Sequence, residues 1–171
     1  MHSQGNSRMY DNYHIITGKT CLLAVIGIFY HGGYDMGYVF AEVTLKNPYY
    51  TTDLEHGISK ESEFLPKTVQ ALVDTGCYSI VITEELRREL GLVITGRRGI
   101  SLADNTRITC QIAGPIEIRW KDRYSVLPAL VVPDRPNVLL GALPLKDMDL
   151  IVDPVRQEVS RAHGDEWVCY I

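Results

Sequence analysis

The pattern of hydrophobic and polar positions changes character near residue 36. Residues 1–35 open with the polar, aperiodic MHSQGNSRMYDNYH, pass through the apolar run CLLAVIGIFY and close on HGGYD. This reads as an extension that is disordered or otherwise outside the fold. Gly32-Gly33 can be encoded by a purine-rich ribosome-binding sequence, which makes Met36 a candidate start. From there alternation sets in, with Tyr38, Phe40, Val43 and Leu45 marking a strand that Asn47-Pro48 closes. The polar, turn-rich residues 49–66 predict a long exposed hairpin loop, and Val69 to Val73 restarts a strand.

A helix follows. Thr83 offers an N-cap, Leu86 and Leu90 share one face, Glu84 precedes Arg88 by one turn, and Gly91 stands where a left-handed C-terminal cap belongs. Beyond Gly96 the runs GISLADN, RITCQI, IEIRW, SVLPALVV, NVLL and LIVDP recur between Asn, Asp, Gly and Pro. Many short strands with turn signals and little helix predict a mostly β domain, barrel-like or sandwich. Trp120 and the apolar strand Leu127 to Val132 are assigned to its core, and Asp153-Pro154 to a strand end.

Composition narrows the function classes. A chain of 171 residues, 46% hydrophobic and 22% charged, suits one sizeable core. With a net charge of −4 and no basic run, nothing resembles a nucleic-acid footprint. Cys21, Cys77, Cys110 and Cys169 form no CxxC pair, and the five histidines fall into no HExxH-like pattern. These are read as free thiols in a reducing cytoplasm, with no metal and no cofactor expected. The run Cys21 to Tyr30 is half of what a membrane span needs, and no small-x-small cleavage pattern follows it. No membrane association is expected, and secretion or membrane attachment rests on residues 20–30 alone.

The candidate chemistry lies in ALVDTGCYSIVI, Ala71 to Ile82. Asp74 follows a hydrophobic strand, so its carboxyl enters a partly desolvated place where charge is penalised. Thr75 adds a hydroxyl that hydrogen-bonds locally or across an interface, and Gly76 permits a close backbone approach. A bare D-T-G reads as a turn. Its apolar flanks make this one a turn between two buried strands, a rigid loop that aims a carboxylate.

That stretch, the helix TEELRRELGL behind it and the later PNVLLGALPLKDMDLIVDP resemble the retropepsin-like aspartic proteases, in particular their small bacterial single-domain members. MGYVFAEVTLKNP resembles the family's first strand, so the likeness covers Met36 to Val159. It implies a retropepsin-like barrel with one short α-helix after the active-site loop, and a segment Val138-Leu139-Leu140-Gly141 passing beneath that loop. Cys77 replaces the Ala or Ser common after the glycine and is read as a packed thiol rather than a nucleophile. The ending SRAHGDEWVCYI matches no family element.

The resemblance also implies a mechanism. Two carboxyls held close share a proton because both cannot ionise together, as the aspartic proteases themselves exemplify, which provides one acid and one base. This chain has a single Asp-Thr/Ser-Gly, for Asp104, Asp147, Asp149 and Asp153 lack the following residues. The expectation is a homodimeric aspartic endopeptidase, with Asp74, Thr75 and Gly76 from each copy meeting on a two-fold axis to cut extended or unfolded protein or peptide substrates. A hairpin flap over the cleft is assigned to Gly99 to Gln111, with Leu102, Ala103, Asp104 and Asn105 at its substrate-facing tip. The alternative is a non-catalytic dimeric module that grips peptides on the same fold. The expected organisation is an extension over 1–35, a protease domain over 36–160, and a tail over 161–171 available to a dimer interface.

Overall fold

The computed structural model describes residues 38–50, 56–57, 64–101, 105–133 and 137–168. The expectations for residues 1–35 and for Leu102, Ala103 and Asp104 lie outside them.

The domain is mostly β. Strands β1 (Phe40–Lys46), β2 (Lys67–Val73), β3 (Val81–Ile82), β4 (Ile94–Ser101), β5 (Arg107–Trp120), β6 (Arg123–Val131) and β7 (Leu139–Leu140) form one seven-stranded mixed sheet in the order β1-β2-β7-β3-β6-β5-β4. A separate hairpin joins β8 (Leu150–Asp153) to β9 (Glu158–Arg161). The large sheet curls toward a barrel, because β1 pairs with β2 along its length and also with β5 through Thr44–Arg119, Leu45–Ile118 and Lys46–Glu117.

That closure depends on a bend in β5. The sequence separates RITCQI from IEIRW, but one 14-residue strand runs through both, with a register shift between Ala113 and Ile116. Gly114 sits at the bend with φ 109°, and a Cβ there would stand 2.8 Å from the Ile116 amide nitrogen. Its Gly-Pro pair therefore marks a bulge rather than a break.

Strand β1 also corrects the reading of its faces. Val39, Ala41, Val43 and Leu45 are buried, while Tyr38 and Phe40 are exposed and approach each other at 6.4 Å between ring centroids. Most of the core lies on the Val43 side, with Leu45, Ile80, Ile82, Ile116, Ile118 and Leu140 fully enclosed. Each such side chain contributes about 1.5–3 kcal/mol. Trp120 and the inward residues Leu127, Ala129 and Val131 belong to it, as expected.

Helix α1 (Glu84–Glu89) forms as its signals require. Thr83 Oγ1 accepts the Leu86 amide at 3.0 Å, and Glu84 holds Arg87 at 2.8 Å and Arg88 at 2.9 Å. Gly91 closes it with φ 62°. Of the described residues in the segment read as an exposed loop, Tyr49 and Leu65 are exposed, while Tyr50, in a helical turn over residues 48–50, is buried and meets Phe64 edge-on at 5.4 Å.

A second short helix, α2 (Ala142–Asp147), was not anticipated. Pro144 makes ALPLKD look irregular, yet it occupies the first turn, where its missing N–H leaves no bond unmade. No helix among the described residues is long and apolar enough to cross a membrane.

The chain after β9 folds back on its own domain. Arg123, fully buried, contacts Asp149 at 3.4 Å, and its guanidinium donates to the carbonyls of Gly164, at 3.0 Å, and of Glu166. Trp167 donates to the Asp147 carbonyl at 3.0 Å and stacks edge-on against Tyr124.

Candidate active site

Strand β2 delivers Asp74 to the top of the sheet. The amide of Leu72 donates to Val138 O at 2.9 Å, that of Asp74 to Leu140 O at 3.0 Å, and that of Val73 to Val39 O at 2.8 Å. The last strand residues are thus held from both sides. Strand β7 runs parallel to β2, with Leu72 beside Leu139, and antiparallel to β3, with Val81 beside Leu139. The loop of residues 74–80 must therefore cross over β7 to reach β3 on the other side.

Gly141 makes that crossing possible. Its φ of −85° and ψ of −176° are open to any residue, so the requirement is space alone. A Cβ there would lie 2.2 Å from Ser79 O, 2.5 Å from Cys77 O and 2.9 Å from Ser79 N. Helix α2 then starts directly beneath the loop, where the amides of Ala142 and Leu143 donate to Cys77 O at 2.7 Å and Tyr78 O at 2.9 Å. The first N–H groups of a helix lack partners within it, and here the loop carbonyls satisfy them.

Inside the loop, Gly76 N–H donates to Asp74 Oδ1 at 2.9 Å and Cys77 N–H to Asp74 O at 3.0 Å. A side chain on Gly76 would begin 3.2 Å from Asp74 Oδ1. Ser79 is anchored to β6 by a bond from Oγ to Pro128 O at 3.1 Å, and the Cys77 thiol donates to Ser79 O at 3.2 Å. Cys77 is half-buried and packs with Leu72, Val81, Cys110, Val132 and Leu139, in keeping with its reading as a packed thiol.

One carboxylate oxygen is left over. Asp74 Oδ2 is buried and has no hydrogen-bond partner among the described residues, whereas Thr75 and Gly76 are exposed. Leaving a buried polar atom unpaired costs about 1–3 kcal/mol. An atom kept in that condition, on a loop fixed at so many points, leaves room for one further hydrogen-bond donor.

The three motif residues are thus brought together as one rigid turn. The hairpin read as a flap exists, since β4 and β5 pair from Arg97–Gln111 to Ser101–Arg107. Asn105 lies in its connecting turn with φ 63°, a left-handed conformation that Asn tolerates. Ile100 and Ile108, close to the turn of this hairpin, pack against the same apolar cluster as Cys77 and Leu72, which sets the outer part of the hairpin beside the Asp74 loop. Sequence reasoning did not single out these isoleucines, Ser79 or Val39. The alternation of Ile100 and Ile108 with Gly99 and Thr109 was a usable signal for the first two.

Two of the aspartates that lack a following Thr-Gly, Asp149 and Asp153, are engaged elsewhere. Asp149 meets His163 at 2.8 Å as well as Arg123, and Asp153 Oδ1 accepts the amides of Val155 and Arg156 at 2.9 Å, closing the end of β8 as expected. Burial pushes the Asp149 carboxyl up, but His163, the Val168 amide and Arg123 together hold it below the ordinary aspartate value.

A family model described as aspartyl protease matches residues 62–142, from before β2 through the Asp74 loop and the hairpin to the start of α2. No curated protein matches the chain.

Proposed function

We propose, from the premise that residues 62–142 match an aspartyl protease family model, that the protein is a homodimeric aspartic endopeptidase cutting extended or unfolded protein segments. The observation that carries this reading is the Asp74 carboxyl, with Oδ1 fixed by the Gly76 amide and Oδ2 buried without a hydrogen-bond partner among the described residues.

A single carboxyl cannot take a proton from water and give one to the scissile carbonyl oxygen in the same step. Asp149 and Asp153 are committed to their own partners. Since the chain carries a single Asp-Thr/Ser-Gly, the second carboxyl in this reading comes from Asp74 of another copy across a two-fold axis. Exposed Thr75 stands beside it and supplies a hydroxyl for the facing loop. The two carboxyls share one proton and titrate as a pair. The ionised member removes a proton from the water that attacks the amide carbon, and the protonated member donates to the carbonyl oxygen. A proton passed to the nitrogen then releases the amine.

The substrate lies extended in the cleft, bound through main-chain hydrogen bonds. The hairpin bearing Asn105 covers it, supported by the packing of Ile100 and Ile108 on the Cys77 side. We place the enzyme in the cytoplasm, a reading supported by Cys77 and Cys110 standing as thiols.

The test compares wild type with Asp74→Asn on denatured casein across pH, together with sedimentation of both. The expected result is cleavage by the wild-type dimer, reduced by about 10²- to 10⁴-fold in the variant. Equal cleavage by both would remove Asp74 from the chemistry, and full activity in a strict monomer would remove the shared site. An intact dimer that binds peptide and never cuts would point to the non-catalytic module.

A further inference from the structure

Strand β4 ends the large sheet and pairs with β5 alone among the described strands. Its other edge offers a row of backbone donors and acceptors to an incoming chain. Gly96 and Gly99 lie on this strand, and a Cβ at either position would meet nothing within 4 Å. Glycine inside a strand often marks a place where another backbone comes close.

One face of the same hairpin lines a groove. Arg97 pairs with Gln111 and Gly99 with Thr109, so Arg97, Thr109 and Gln111 share that face. Glu84 and Arg88 of α1 form the opposite wall, Val131 and Pro133 complete the lining, and the space is about 440 Å³. Glu84 is already bonded to both Arg87 and Arg88. Arg97 has no carboxylate partner among the described residues and is exposed. The groove is therefore net positive on a chain whose formal charge is −4.

We infer that the edge of β4 left unpaired among the described strands, together with the mouth of this groove, binds an extended acidic peptide segment. Its backbone adds to β4, and its carboxylates meet Arg97 at the mouth of the groove. Guanidinium groups suit carboxylates because their paired N–H donors match the two oxygens. A nucleic acid fits less well, since the lining has no aromatic ring on which a base could stack and the chain as a whole is acidic. Ile100 and Ile108 alternate onto the other face of the hairpin, toward Cys77. The site is thus separate from the Asp74 cleft and does not rest on the catalytic reading.

The test is fluorescence anisotropy with a labelled octapeptide of alternating Glu and Val, against its Gln–Val counterpart. The full chain carries Asp74→Asn so that the probe is not consumed. The Glu peptide is expected to bind more tightly and to weaken as salt is added. Arg97→Gln lowers its affinity about fivefold, and Arg97→Glu transfers the preference to a Lys–Val peptide. Hydrogen exchange should slow in Ile94–Ser101 on binding. Equal affinity for the Glu and Gln peptides overturns the inference, as does unchanged binding by Arg97→Gln. Equal affinity for a charge-matched oligothymidylate would reduce it to general polyanion attraction and overturn it also.

Discussion

Replacing Gly141 by Ala adds one methyl group, and its consequence can be worked out atom by atom. The backbone at 141 is in an ordinary extended conformation, so no torsional strain arises. The new Cβ would sit 2.2 Å from Ser79 O and 2.5 Å from Cys77 O, both main-chain atoms that cannot rotate away. Either β7 drops or the 74–80 loop rises. Overpacking of this kind costs about 1–3 kcal/mol. The Ala142–Cys77 and Leu143–Tyr78 bonds stretch at the same time, each contributing about 0.5–1.5 kcal/mol. The expected loss is about 2–6 kcal/mol, a large fraction of the 5–15 kcal/mol that a domain usually has. Urea unfolding followed by tryptophan fluorescence should show a lower midpoint, and casein cleavage should fall further than the folded fraction does, because Asp74 moves with its loop. Gly99→Ala is the control, for a Cβ there meets nothing, and its cost should stay within about 0.5 kcal/mol. A Gly141→Ala protein with wild-type midpoint and activity would refute the account of a loop tightened over β7.

Other outcomes follow from the same geometry. Thr83→Ala removes the acceptor for the Leu86 amide and should cost about 1 kcal/mol in urea unfolding without altering the Asp74 loop. Arg123→Ala leaves Asp149 buried without its guanidinium and frees the Gly164 and Glu166 carbonyls; about 3–5 kcal/mol should be lost, with faster proteolysis of residues 162–168. Because the Asp149 carboxyl is held below its ordinary value in the folded protein, its contribution is fully present above the unfolded value of about 3.9. It fades as pH falls through the lower folded value. Stability measured against pH should therefore drop on the acid side, and Asp149→Asn should flatten that drop.

How much of this was written in the sequence depends on how local each cause is. The helix after the loop was legible because Thr83, Leu86, Leu90 and Gly91 act within two turns. The Asp74 loop and Gly141 were legible because a short motif at each end implied the other. The bond from Ser79 to Pro128 and that from Val73 to Val39 were not, since each joins distant segments through groups that nearly any residue carries. Arg123 was invisible as an interior residue because burial of a cation depends on partners, here two carbonyls and a carboxylate supplied from residues 149–166. The polar run after β9 looked like surface tail for the same reason. Pro144 concealed α2, as its effect depends on whether it falls in the first turn or later.

The position of β7 has a consequence for biosynthesis. Strands β2 and β3 never pair with each other, and the bridge between them is supplied by residues 138–140. A nascent chain that has emerged only as far as α1 already displays Asp74, yet lacks the wedge that gives its loop a shape. On the catalytic reading proposed above, Asp74 therefore acquires its fixed geometry only once the segment through Leu143 has left the ribosome.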